Sequence, residues 1–136
     1  PRAHAVHHHG RGHQPEISPG GRLARPTLLA DVAQDALLTR EETFGPLAGV
    51  IAFDTVEQGL ALANGTPFGL AAYLQCRDLG LAARVARQLR AGQVMINQPA
   101  WDVSAPFGGF KQSGNGRECG EAGFEAFTEV KAIGGL

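Results

Sequence analysis

Cysteine is scarce in this sequence: Cys76 and Cys119 are the only two in 136 residues. They have no paired spacing, which argues against a disulfide framework or a cysteine-based zinc site. Two lone thiols and no leader predict a reducing, cytoplasmic setting. Long apolar runs are missing too. Nothing approaches the roughly 18 residues of a membrane span, and residues 1–22 lack the apolar stretch of a secretory signal. Nor does one sign of charge dominate. Twelve Lys+Arg stand against 13 Asp+Glu, a net charge of −1, so nothing electrostatic points to nucleic acid or an anionic membrane as partner. Methionine occurs once, at Met95, and the first residue is Pro1; a processed or incomplete chain is expected.

The residues that are present point to a folded protein. Hydrophobic residues make up 43% and charged residues 18%, which excludes wholesale disorder. The length suits one domain with one core. Nineteen glycines and eight prolines predict many turns and close backbone approaches. Residues 1–25 differ from the rest. They hold all five histidines (His4, His7, His8, His9, His13) and few large apolar residues, and they show neither helical nor strand periodicity. An irregular segment is expected there. A metal-binding histidine tail is the functional alternative, weakened by the lack of carboxylate or cysteine partners at ligand spacing; no metal site is assigned. Foreign coding sequence, such as an out-of-frame translation, is the other alternative.

From Pro26 onward the text alternates between structural signals. Residues 47–53 read as a buried apolar strand. Thr55-Val-Glu-Gln58 fits a capping box opening a helix that Gly65 can close. Residues 70–75 read as a second strand. Asp78 suits the N-cap of a helix in which Leu81, Ala82, Val85, Ala86 and Leu89 recur at helical spacing. Gly92 stops that helix before a third strand at 93–97. The order β-α-β-α-β implies right-handed crossovers and a parallel sheet, hence an α/β fold. Beyond Asn97 come a glycine-rich loop over 98–117, a short helix near 118–126 and a terminal strand near 127–133.

The loop segment Gly108-Gly-Phe-Lys-Gln-Ser-Gly-Asn-Gly-Arg117 invites a phosphate-loop reading, and its spacing rejects one. A phosphate loop requires Gly-Lys-Ser/Thr, whereas Lys111 is followed by Gln112. A dinucleotide fingerprint requires G-x-G-x-x-G, and Gly114, Gly116 and Gly120 are spaced otherwise. A tightly turned loop passing close to other backbone is the better reading.

Four ordered segments carry more information than any single motif. Arg40-Glu-Glu-Thr-Phe-Gly-Pro46 and Asn97…Pro106-Phe-Gly-Gly-Phe-Lys-Gln-Ser-Gly-Asn-Gly-Arg-Glu118 closely resemble signature segments of the aldehyde dehydrogenase superfamily. Asn64-Gly-Thr-Pro-Phe-Gly-Leu-Ala-Ala72 and Phe127-Thr-Glu-Val-Lys131 resemble further family segments, in the right order. The resemblance covers residues 26–133. It implies an enzyme that oxidises an aldehyde to a carboxylic acid with NAD or NADP, through a thiohemiacetal on a cysteine nucleophile. It implies that this chain is the C-terminal part of such an enzyme, without the nucleophile segment or the Rossmann-like domain that binds most of the cofactor. The organisation expected is an atypical segment at 1–25, a partial catalytic domain at 26–118, and a helical turn with an assembly strand at 119–136.

By the same resemblance, Glu42 matches the glutamate that accepts hydrogen bonds from the nicotinamide ribose hydroxyls, and Phe44 the aromatic beside the nicotinamide. Phe107 matches an aromatic at the substrate entrance. Trp101, in the loop before it, has two readings: a second wall for the aldehyde, or packing under a loop. Glu118 is a candidate proton relay during deacylation, against a buried structural carboxylate paired with Arg117. Arg117 is also placed to meet Glu129. Neither cysteine is promoted to nucleophile; a small buried hydrophobe is expected for both. The partners implied are a small-molecule aldehyde and further copies of the subunit. The rival reading is a catalytically inert fragment that serves only in structure or assembly.

Overall fold

The computed structural model describes the backbone of His4–Val6 and residues 26–135. The histidine-tail alternative rests mainly on His7, His8, His9 and His13, which lie outside the described residues. The chain divides into two compact units, residues 1–62 and 63–136.

The first unit is built on a three-stranded sheet. β1 (His4–Val6) runs antiparallel to β2 (Thr27–Ala30), with Ala5 opposite Leu29. β2 runs parallel to β3 (Leu47–Gly49), with Leu28 opposite Ala48. Between them lies α1 (Leu37–Arg40), a single turn. The Thr39 hydroxyl, 2.7 Å from the carbonyls of both Gln34 and Ala36, secures that turn. Val32 is the buried apolar residue among those described in this unit. The absence of a side chain at Gly49 lets Leu38 and Val32 lie directly on β3: a Cβ there would stand 2.9 Å from Leu38 Cδ2. α2 (Val56–Asn64) comes next. Half of the expected capping box is formed: Thr55 Oγ1 accepts from the Gln58 N–H at 3.2 Å, while Gln58 Oε1 reaches one residue further back than the box requires and accepts from the N–H of Asp54 at 2.8 Å.

The second unit contains a β-α-β pair. β4 (Ala71–Leu74) and β5 (Gln93–Ile96) are parallel, with Ala72 opposite Val94. α3 (Leu79–Ala86) connects them and opens on Asp78, whose carboxylate accepts from the Leu81 N–H at 2.9 Å. Such a cap is worth about 1 kcal/mol. Ala82 and Val85 form the buried face of α3, and burying a valine side chain contributes roughly 1.5–3 kcal/mol. The glycine-rich loop, with a 3-10 turn at Lys111–Ser113, and α4 (Gly120–Glu125) complete the unit.

The α/β class with parallel strands is as expected, but the strand pairing differs. The three apolar runs do not form one β-α-β-α-β sheet. β3 pairs with β2, whose four residues supply the neighbouring ladder, and β4–β5 make a separate two-stranded sheet. The run at 47–53 also leaves the ladder early: Val50 N still donates to Leu29 O at 2.8 Å, but Val50 and Phe53 are exposed. At the N-terminus, His4–Val6 is a strand inside the segment expected to be irregular. The terminal strand at 127–133 is not formed. That stretch has no ladder partner among the described residues, and a strand is made by its partner. Phe127 and Val130 are 87% and 102% exposed.

Candidate functional site

Glu42 and Phe44 lie on the connection between α1 and β3 and line one cleft of about 480 Å³, together with Thr39, Thr43, Leu38 and Ile51. Two features aim this segment outward. α1 ends at Arg40 with the Glu41 N–H donating to Leu37 O at 2.9 Å, and Glu41 is already extended. Phe44 then takes φ +45°, a left-handed conformation that is an outlier for a bulky side chain. Phe44 is 93% exposed. Glu42 is also exposed, with no side-chain partner among the described residues. The cleft therefore presents an uncommitted carboxylate acceptor beside an uncovered aromatic face.

The other candidates belong to the second unit. Phe107 and Glu118 are joined by an antiparallel bridge: Phe107 N donates to Glu118 O at 2.7 Å, and Glu118 N to Phe107 O at 2.6 Å. The rings of Trp101 and Phe107 meet at 5.5 Å and 57°, a tilted geometry that aromatic pairs favour. Trp101 is 56% exposed, so it is not buried under its loop. Phe107, Glu118, Leu70 and Arg117 line a smaller cleft of about 270 Å³.

Several expectations are corrected here. Glu118 is exposed rather than buried. Arg117 pairs with neither Glu118 nor Glu129: its guanidinium donates to the carbonyls of Gly109 at 3.0 Å and Gly116 at 2.7 Å, and lies 5.4 Å over the Phe110 ring. Carbonyls of its own loop are closer at hand than either carboxylate. The cysteines are not buried hydrophobes either. Cys76 is half-buried, with its Sγ donating to Asp78 O at 3.3 Å, and Cys119 is exposed. Neither lines either cleft.

Sequence reasoning missed the residues that hold the loop. Lys111 Nζ donates to the carbonyls of Asn64 and Thr66, both at 2.9 Å. Ser113 Oγ accepts from Gly69 N at 3.0 Å, and Phe110 N donates to Gly69 O at 2.8 Å. Asn64 binds the chain just beyond α3, donating to Gln88 O at 2.9 Å and accepting from Arg90 N at 2.8 Å. Gly92 permits the closest approach, since a Cβ there would collide with the Gly108 carbonyl. The run of glycines is the one sequence signal for these contacts, and it marks close backbone approach without naming the partner.

The order and geometry of these segments agree with what comparison finds. The family model described as "Aldehyde dehydrogenase family" matches residues 2–133. The chain belongs to the aldehyde dehydrogenase family. That match begins at residue 2, whereas the resemblance read from the sequence covers residues 26–133. The human mitochondrial succinate-semialdehyde dehydrogenase is 48% identical over 120 residues, 86% of this chain and 22% of that protein. A 3-succinoylsemialdehyde-pyridine dehydrogenase from a Pseudomonas species is 42% identical over 122 residues, 90% of this chain and 26% of its own length. Among solved structures, an aldehyde dehydrogenase of Pseudomonas syringae in complex with NAD+ and octanal aligns with a TM-score of 0.79 at 50% identity, over 83% of this chain and 23% of that one. An indole-3-acetaldehyde dehydrogenase in complex with NAD+ aligns with a TM-score of 0.82 at 42% identity, over 95% and 26%. The chain thus spans about a quarter of the length of these relatives.

Proposed function

We propose that this chain is the C-terminal part of an NAD(P)-dependent aldehyde dehydrogenase and supplies one wall of its cofactor site and one of its substrate site. The observation that carries the reading is the cleft shared by Glu42 and Phe44. A free carboxylate accepts from two vicinal hydroxyls at once, as a ribose offers, and an exposed ring suits the flat face of a nicotinamide. The donor set therefore fits the cofactor. Bound NAD or NADP would supply the hydride acceptor. The residues here bind and orient: Glu42 would fix the ribose, and Phe44 would restrict where the nicotinamide lies. The strained backbone at Phe44 is of the kind retained where a side chain must be presented. Trp101 and Phe107 would contact the apolar part of a small aldehyde. Glu118, exposed and bridged through its backbone to Phe107, keeps its carboxylate free for proton relay. The apolar residues Phe127, Val130 and Ile133, all exposed, support assembly of the complete enzyme through this end of the chain. Among the described residues, no helix is long and apolar enough to cross a membrane. The two free cysteines support a reducing, cytoplasmic location.

Glu42→Gln in the complete enzyme tests this. Replacing the charged acceptor by a neutral amide should raise KM for the nicotinamide cofactor by about tenfold, the value of one charge-assisted hydrogen bond, with KM for aldehyde little changed. An unchanged cofactor KM removes Glu42 from the site. A second reading, an inert fragment, is favoured for the chain in isolation by its small core: Val32, Ala82 and Val85 are its buried apolar residues among those described.

A further inference from the structure

We propose that Asn97 is a positioning residue that aims Trp101 and thereby sets how large an aldehyde the enzyme accepts; this rests on the reading that Trp101 and Phe107 line the substrate site. β5 ends at Ile96, yet its ladder with β4 continues for one residue more, because Asn97 N donates to Leu74 O at 2.9 Å. The backbone then turns sharply. Asn97 and Gln98 both take φ +53°, a conformation that asparagine tolerates better than glutamine. As the main chain departs, the Asn97 side chain takes its place. Oδ1 accepts from the Cys76 N–H, and Nδ2 donates to the Cys76 carbonyl, both at 2.9 Å. A carboxamide is one planar group with both a donor and an acceptor, so it completes the ladder that the backbone abandons. Cys76 is itself tied to the start of α3 through its Sγ contact with Asp78 O.

Beyond this clamp the chain has little else to direct it. Residues 98–101 make no hydrogen bond among those described. Hydrogen bonding resumes at Asp102, which receives the N–H of Ala105 and both the N–H and hydroxyl of Ser104. At the far end, Phe107 is fixed by its bridge to Glu118. Phe107 is therefore held independently, whereas the place of Trp101 depends on its ring contact with Phe107 and on the direction in which the chain leaves Asn97. Loss of the clamp would shift one aromatic and leave the other.

The test uses the complete enzyme with saturating cofactor and two probes, octanal and propanal. Asn97→Gly keeps the left-handed backbone available and removes the clamp. Asn97→Asp keeps the acceptor and sets an oxygen against the Cys76 carbonyl. Trp101→Ala, Phe107→Ala and the Asn97→Gly/Trp101→Ala double variant complete the set. Both Asn97 variants should raise KM for octanal about tenfold with kcat within about twofold, and leave propanal nearly unaffected, as expected of a small misplacement. In the Trp101→Ala background, Asn97→Gly should add less than about twofold, since coupled residues are not additive. Equal losses for both aldehydes, full additivity with Trp101→Ala, or failure of both Asn97 variants to give folded enzyme overturns the proposal. If Trp101→Ala and Phe107→Ala leave the octanal KM unchanged, the substrate wall itself is wrong and the proposal falls with it. If they raise it while Asn97→Gly does nothing, the wall stands and the proposal alone fails.

Discussion

Asp102 owes its acidity to a residue two places along the chain. Hydrogen bonds from the Ser104 hydroxyl at 2.6 Å and the Ser104 N–H at 2.9 Å hold its carboxyl below the ordinary value of 3.8. Because the folded value is depressed, any stability gained from this turn is present above the ordinary value and is lost as pH falls through the folded one. Ser104→Ala removes the hydroxyl, the largest contribution, and should move the Asp102 midpoint back up in an NMR titration of the side-chain carboxyl; an unmoved midpoint would contradict this. Single residues whose partners are close in sequence are legible from the sequence. Asp78 caps α3 and Thr55 caps α2 as their spacing requires. Arg117 is misread there because its charge suggests a carboxylate, while carbonyls of its own loop stand nearer. Cys119 is misread because composition gives no view of exposure.

The elements show the same division between short and long range. Helices α2 and α3 lie close to where their caps predict them, and α4 falls within the short helix expected near 118–126, because a helix bonds to itself. The runs of β3, β4 and β5 are legible, but β2, the neighbour of β3, is not: its four residues are too short to stand out and α1 separates them from β3. The glycine-rich loop is the sharpest case. Its lysine suggests phosphate binding and its spacing rejects it, and the residue proves to bind main-chain carbonyls on the 64–66 turn, 45 to 47 positions away. Lys111→Met keeps much of the side-chain length and removes the donors. It should destabilise the complete protein by about 1–3 kcal/mol, the cost of leaving two carbonyls unpaired, with faster amide exchange at the end of α2. Unfolding curves that overlay those of the parent would show these bonds to be of no net value.

At the scale of the whole molecule, apolar surface is the dominant fact. Fourteen large hydrophobic residues are exposed among those described, including Phe44, Tyr73, Trp101, Phe124 and Phe127. Isolated apolar side chains on a surface are ordinary, but many together mark faces that other protein covers. The chain spans about a quarter of its relatives, and that partial coverage is legible in its four family segments. How little core those segments make by themselves is not. The purified chain should bind an apolar-sensing dye, scatter light as a self-associated species and show no turnover with NAD, NADP and a panel of small aldehydes. A monomer without dye binding, or turnover above background, would refute this. The same exposed residues bear on the fate of the polypeptide in a cell. Chaperones and proteases recognise uncovered apolar segments and triage the chains that carry them. A cell that makes this chain without the sequence that covers it should therefore keep little of it, and its abundance would report whether the rest of the enzyme is made alongside.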